Sequence, residues 1–202
     1  MIFSYLTIKE KSEGLYKEKG SKFIAYAYPV SNDPEVKEIV AGLKKEFHDA
    51  RHHCYAFRLG ADLSFFRTND DGEPSGTAGK PILGQIQSFQ LTNILIVVVR
   101  YFGGTKLGVG GLIQAYKEST KNALENSSII EKNIENHYEL IFSYEQLPEV
   151  MKTLKLLKAV ITNQETDSNY RLFCTIPLIN SPVLEEKLKR IPNFEMKLTD
   201  TR

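Results

Sequence analysis

Three stretches of this 202-residue chain place side chains and glycines at spacings that could do chemistry. The first runs Val97-Val98-Val99-Arg100-Tyr101-Phe102 into Gly103-Gly104-Thr105-Lys106-Leu107-Gly108-Val109-Gly110-Gly111, with five glycines in the last nine residues. A strand that ends in a glycine loop and opens a helix leaves backbone N–H groups free, and glycine admits the positive φ that turns them toward an anion. Arg100 and Lys106 could add charge. No Gly-Lys-Ser/Thr closes the loop, so it matches neither a Walker loop nor the dinucleotide fingerprint. A tight turn whose glycines relieve crowding accounts for it equally well.

The second stretch is Asp70-Asp71-Gly72-Glu73-Pro74-Ser75-Gly76-Thr77-Ala78-Gly79-Lys80-Pro81. Asp70, Asp71 and Glu73 could offer oxygens to a hard cation, although their spacing is not that of an EF-hand loop. The alternative, a polar loop in which Thr77 caps a helix with Pro81 in its first turn, is favoured over a metal. Gly76 to Lys80 looks like a fragment of a phosphate loop but lacks the hydroxyl after Lys80. The third stretch holds His48, Arg51, His52, His53 and Cys54. Neighbours on a strand face opposite ways, so His52 and His53 do not share a ligand easily. A partly buried histidine packed on a sheet is favoured over a metal ligand. A Cys54–His dyad would need a second histidine brought close by the fold.

These residues need elements to position them. Residues 5–30 read as two strands, with Phe23, Ile24, Tyr26 and Tyr28 in the second. Ser31-Asn32-Asp33-Pro34 signals a helix start, and Val36, Ile39, Val40, Leu43 and Phe47 follow on one face. Strands are expected near 53–59 and 64–68, and a short helix near 80–89. Ile94 to Val99 reads as a central strand buried on both faces. A helix from about Leu112 to Glu125 follows the glycine loop. The polar segment 127–136 reads as a linker. Beyond it, strands at 138–144, 159–166, 170–179 and 195–199 and helices at 147–157 and after Ser181-Pro182 give the order βαββαβ, a ferredoxin-like plan. Two domains are expected, residues 1–130 and 137–202. The second holds no convergent polar cluster and reads as a scaffold or docking module, with Lys152, Lys155 and Lys158 as a solvated basic stripe.

Composition narrows the classes. Net charge is +1, and cutting after Asn136 leaves 17 basic and 16 acidic residues before the cut and 9 of each after it. Neither part is a basic domain, which counts against strong sequence-independent binding to nucleic acid but leaves room for a local basic groove. No apolar run is long enough to span a bilayer, the first residues lack a secretory pattern, and the two cysteines fall in different domains. A cytoplasmic protein without membrane contact is expected, with a monomer favoured.

Several blocks in order carry a resemblance: His53-Cys54-Tyr55-Ala56-Phe57, Asp70-Asp71-Gly72-Glu73-Pro74 with Thr77-Ala78-Gly79-Lys80-Pro81, Val99 through Gly108, and Gly110-Gly111-Leu112 before Ala115-Tyr116. Over about residues 15–125 the chain closely resembles the IMPACT family, including its bacterial YigZ-type members. The resemblance implies an α+β protein: a first domain folded like the second domain of ribosomal protein S-five, and a ferredoxin-like second domain, together similar to the last two domains of elongation factor G. Eukaryotic relatives carry an extra N-terminal domain and restrain a kinase that regulates translation initiation; that domain is not expected here.

The expected role is a translation-linked regulatory binding protein contacting RNA, the ribosome or a translation factor through the first domain. The alternatives are an enzyme acting on a phosphorylated small molecule, for which no catalytic residue is assigned, and a protein–protein regulatory module. Arg100, Tyr101, Gly103, Gly104, Lys106, Gly108, Gly110 and Lys80 are the expected anion- or nucleic-acid-binding residues. His53, Asp70, Asp71, Glu73 and Thr77 form the candidate polar or cation site. No cofactor is expected; a divalent cation is the one candidate. The acidic loop and the glycine loop are expected to border one cleft, with Arg100 or Lys106 meeting an anion.

Overall fold

A computed structural model describes residues 2–166 and 169–201. The chain divides into two compact units, Tyr5–Lys132 and a second made of Asn133–Arg202 with the N-terminal residues through Ser4. No helix among the described residues is long and apolar enough to cross a membrane.

The first unit is built on an antiparallel sheet of β2 (Ser12–Glu18), β3 (Ser21–Pro29), β4 (His52–Leu59), β5 (Phe65–Asn69) and β6 (Ile94–Tyr101), in the order β2-β3-β6-β4-β5. β6 lies at the centre, and its residues Ile94 to Val99 are fully buried. One face packs Leu95, Val97 and Val99 against Val36 and Leu43 of α1 (Asp33–Glu46). The other packs Ile94, Ile96 and Val98 against α2 (Gly79–Ser88) and α3 (Gly108–Glu125). Alternation thus sends odd and even residues of one apolar run into two different cores. α1 starts as its sequence dictates: Asn32 Oδ1 accepts from Glu35 N at 2.9 Å, and Pro34 sits in the first turn.

Three expectations need correcting. The N-terminal stretch holds three strands, because β1 (Ser4–Ile8) leaves the main sheet and pairs with β7 (Ile129–Asn133). The segment read as a linker is therefore strand. Glu131, Lys132 and Asn133 of β7 are exposed on a two-stranded ribbon, and its partner lies over a hundred residues away, beyond the reach of local pattern. α3 begins at Gly108 rather than near Leu112, so Gly110 and Gly111 belong to its first turn. The first turn tolerates glycine because its N–H groups have no intrahelical partner in any case.

In the second unit β8 (Glu135–Phe142), α4 (Leu147–Leu156), β9 (Val160–Thr166), β10 (Tyr170–Pro177), α5 (Ser181–Leu188) and β11 (Glu195–Thr201) form one sheet in the order β11-β8-β10-β9. That is the ferredoxin-like arrangement. Both helices pack on one face, over Tyr138, Leu140, Phe142, Leu172, Cys174 and Ile176.

Candidate functional site

Antiparallel pairing brings the start of β4, the end of β5 and the end of β6 to one edge of the first unit's sheet. The loop after β5 (residues 70–78) and the loop after β6 (residues 102–107) both leave from that edge, so the two sequence motifs are neighbours through the sheet. What they do there differs from a charged cleft.

Asp70 organises the acidic loop. Its Oδ1 accepts from Ala78 N (3.1 Å) and Gly79 N (2.8 Å), and its Oδ2 accepts from Gly76 N (2.8 Å). A carboxylate eight residues upstream thus caps α2. Thr77 does not: its hydroxyl donates to Pro74 O at 2.7 Å, and the position before the helix is Ala78. Burial pushes the Asp70 carboxyl up, but the three N–H groups and Lys80 outweigh it and hold it below the ordinary value.

Asp71, at φ 42°, accepts from His53 N (2.6 Å) and from Lys44 Nζ (2.7 Å). Burial again opposes ionisation, and Lys44 and the His53 N–H overcome it. Glu73 reaches the interior. Its carboxylate, 4% exposed, accepts from Arg100 Nη1 and from the Tyr116 hydroxyl (2.8 Å), with His52 Nε2 at 3.9 Å. Cys54 Sγ lies 3.0 Å from Asp70 O and 3.2 Å from the Tyr116 hydroxyl. Burial raises both the thiol and the phenol, so both stay protonated at neutral pH. The polar neighbours of Cys54 are thus Tyr116 and a carbonyl, not the histidine a dyad would need.

Arg100 departs most from expectation. It is 6% exposed and lies between the rings of Phe23 (5.3 Å) and Phe102 (5.7 Å). The even residues of β6 face α2 and α3, so position 100 points into that layer, where Glu73 is the available counter-charge. Arg100 and the acidic loop do meet, but inside the packing. The open cleft of opposite charges does not form.

The other predicted residues divide between support and surface. Tyr101 donates to Asp49 Oδ1 at 2.9 Å. Gly103 donates its N–H to Ser21 Oγ at 3.1 Å, and a Cβ there would fall 1.9 Å from Gly20 C, so only glycine lets the two turns touch. Gly104 (φ 87°) and Gly108 (φ 72°) are exposed, as are Lys106 and Gly110. No side chain among the described residues caps the start of α3. Lys80 is exposed on α2, folded over Gly76. The oxygens of Asp70 and Asp71 are occupied by protein donors, and no group of three or more His, Cys, Asp and Glu among the described residues is arranged to hold a metal ion. Tyr116 and Lys44 complete the network. Neither carries a local signal for it, since each finds its carboxylate from another element.

His53 makes this region sensitive to acid. Its Nε2 lies 3.1 Å from Phe47 O, in the geometry of a ring N–H donating to a carbonyl. Burial lowers its pKa below 6.5 despite nearby Asp71. As pH falls below about 6.5, the unfolded chain takes up a proton that folded His53 refuses, so stability drops until the folded pKa is passed. Asp70 and Asp71 carry the opposite charge type: their stabilisation is complete above 3.8 and is lost as pH falls through their lowered folded values. Urea melts across pH should therefore show two separate declines. His53→Gln should remove the upper one and leave the lower one; an unchanged upper decline would assign it to another group.

Comparison with known proteins agrees with the blocks that build this network. The family model described as Impact N-terminal domain matches residues 19–124, which include every residue of the Glu73–Arg100–Tyr116 cluster and both loops. The IMPACT family member YvyE of Bacillus subtilis (strain 168) is 40% identical over 134 residues, covering 66% of this chain and 62% of the relative, so the chain spans less than two thirds of that protein. An IMPACT family member of Haemophilus influenzae is 35% identical over 193 residues, covering 90% of this chain and 92% of the relative. A crystal structure described as that of a hypothetical protein superposes with a TM-score of 0.77 at 30% identity, over 99% of each chain. With both units of the fold and the full set of loop residues accounted for in this way, the chain belongs to the IMPACT family.

Proposed function

We propose that this chain is a regulatory binding protein of translation that contacts RNA on the ribosome, in the cytoplasm, through the glycine-loop edge of its first unit. One observation carries the reading. The carboxylates of the motifs are turned inward onto protein donors, while Gly104, Lys106 and the uncapped start of α3 face solvent. The outward chemistry is thus rich in donors and positive charge, which suits phosphate oxygens. Family membership supports the link to translation. The inward network then holds both loops in place rather than turning over a substrate.

Sucrose-gradient sedimentation with ribosomes tests this. The protein should travel with ribosomes at low salt and be released as salt rises, because phosphate contacts exchange with counterions. Lys106→Glu should shift it toward the top of the gradient. A protein that stays at the top at every salt concentration would sink the proposal.

A further inference from the structure

The strongest charged feature outside the motif network is a line of basic residues across the same sheet edge. β2 and β3 turn at Lys19 (φ 44°) and Gly20 (φ 79°), both in the left-handed region that two-residue hairpin turns demand. The register places Lys17 opposite Lys22, and Lys22 opposite Tyr101 of β6. Arg51 precedes β4 and donates its N–H to Arg100 O at 3.1 Å, beside the end of β6. Lys17, Lys22 and Tyr101 therefore stand side by side on three adjacent strands, about 10 Å across at the usual strand spacing, and Arg51 lies just before the start of the fourth, β4.

Lys17, Lys22 and Arg51 are exposed, and none has an ion-pair partner among the described residues. Like charges directly opposite on a sheet disfavour pairing. Two carboxylates lie nearby, and each accepts from a tyrosine: Glu18 from Tyr16 at 3.3 Å and Asp49 from Tyr101 at 2.9 Å. The second bond pins the Tyr101 ring in the basic line. Phe102 follows it, 45% exposed, with its ring against Arg100 rather than in the Lys17–Lys22 row, and Gly103 packs on Gly20, so the hairpin tip with Lys19 and the glycine loop with Lys106 meet at one rim of the sheet.

We infer that this edge is a binding surface for single-stranded RNA, with Lys17, Lys22 and Arg51 along the sugar–phosphate backbone and Phe102 as a stacking face for a base. The inference rests on the proposed RNA contact and names the surface that makes it. Cations that track a backbone beside exposed aromatic rings are the pattern of single-strand binders, whereas an acidic protein segment would use the cations and leave the rings idle. A net charge of +1 over the whole chain fits a modest affinity confined to this edge.

The test uses the full chain and a fluorescein-labelled single-stranded RNA of about 12 nucleotides, read by anisotropy across a salt series. The combined variant Lys17→Gln, Lys22→Gln, Arg51→Gln should bind at least about tenfold more weakly at low salt, and its salt slope should fall by about 2, since each lost contact removes about 0.7. Lys152→Gln, Lys155→Gln, Lys158→Gln removes the same charge from the second unit and should change neither. Lys17→Glu should raise the melting temperature, by turning a like pair into an opposite one, while weakening RNA binding. That combination is the mark of a pair kept for a ligand rather than for the fold. If the wild type binds RNA and the first variant binds equally well, the surface is wrong and the RNA-contact reading survives. If both triple variants lose affinity equally, the attraction is general charge and the surface again falls. If the wild type binds polyglutamate but no RNA, both fall.

Discussion

Replacing Glu73 with alanine is expected to destabilise the first unit by about 3–5 kcal/mol. The side chains of Glu73 and Arg100 are 4% and 7% exposed, so the substitution strands a guanidinium in the interior. Arg100 is poorly placed to recover. Its Nε already lacks a hydrogen-bond partner among the described residues, and aromatic rings flank it. The Tyr116 hydroxyl loses its acceptor in the same step. Glu73→Gln should cost less, since an amide oxygen still accepts from both donors while the charge is lost. Tyr116→Phe removes one neutral hydrogen bond and should cost about 0.5–1.5 kcal/mol. The double variant Glu73→Leu, Arg100→Met should be much less destabilised than the two single effects added, because it removes both members of a buried pair. Urea unfolding of the wild type, these variants and the single variants Glu73→Leu and Arg100→Met decides it. Stability within about 1 kcal/mol of wild type for Glu73→Ala would mean that Arg100 finds solvent or another partner, and that the inward network is not what holds the acidic loop.

Gly14→Ala should be about as severe for a different reason. Gly14 is on β2 where that edge strand lies against the last turns of α3, and a Cβ there would come within 2.2 Å of Ala123 N and 2.6 Å of Ser119 O. Both obstacles are backbone, so no rotamer change relieves the overlap. Strand and helix must separate, and the bonds that lace them would stretch: Ser12 Oγ to Ala123 O (2.8 Å), Leu15 N to Asn122 Oδ1 (2.9 Å) and Asn126 Nδ2 to Glu13 O (2.8 Å). A loss of about 3 kcal/mol, at the upper end for overpacking, is expected. Gly42→Ala is the control. It sits in α1 with nothing within 4 Å of the added carbon, so the same substitution should stabilise by about 0.4–1 kcal/mol. Two glycine-to-alanine changes of opposite sign in one unit separate crowding from chain entropy. A neutral Gly14→Ala would mean that β2 can move off α3 at no cost.

If the RNA-binding edge lies where the lysines stand, Glu73→Ala and Gly14→Ala should weaken binding only to the extent that they unfold the unit. Neither residue touches that surface. The Lys17, Lys22, Arg51 variant should show the converse, with binding lost and stability kept.

Much of this molecule is determined by local chemistry, and that part could be read from the chain alone. Asn32 and Pro34 start α1 because a cap and a preset φ act within one turn. Ile94 to Val99 had to be a central strand, since a continuous β-branched run has no polar face to expose. The alternating runs beyond Glu135 place their own apolar faces, and the ferredoxin-like order follows. The grouping of the motif blocks at one sheet edge, by contrast, rests on the pairing of β4 with β6, which sets His52 opposite Arg100. What only the tertiary structure decided are pairings between residues far apart in the chain. β7 looked like a linker because β1, which makes it a strand, is more than a hundred residues away. Thr77 looked like the cap of α2 because the competing acceptor, Asp70, reaches back across a loop. Arg100 looked like an anion ligand because spacing does not say which charge it will meet. Packing sent it inward to Glu73, and left the unpaired lysines of the neighbouring hairpin, which no motif marks, as the charges that face the solvent.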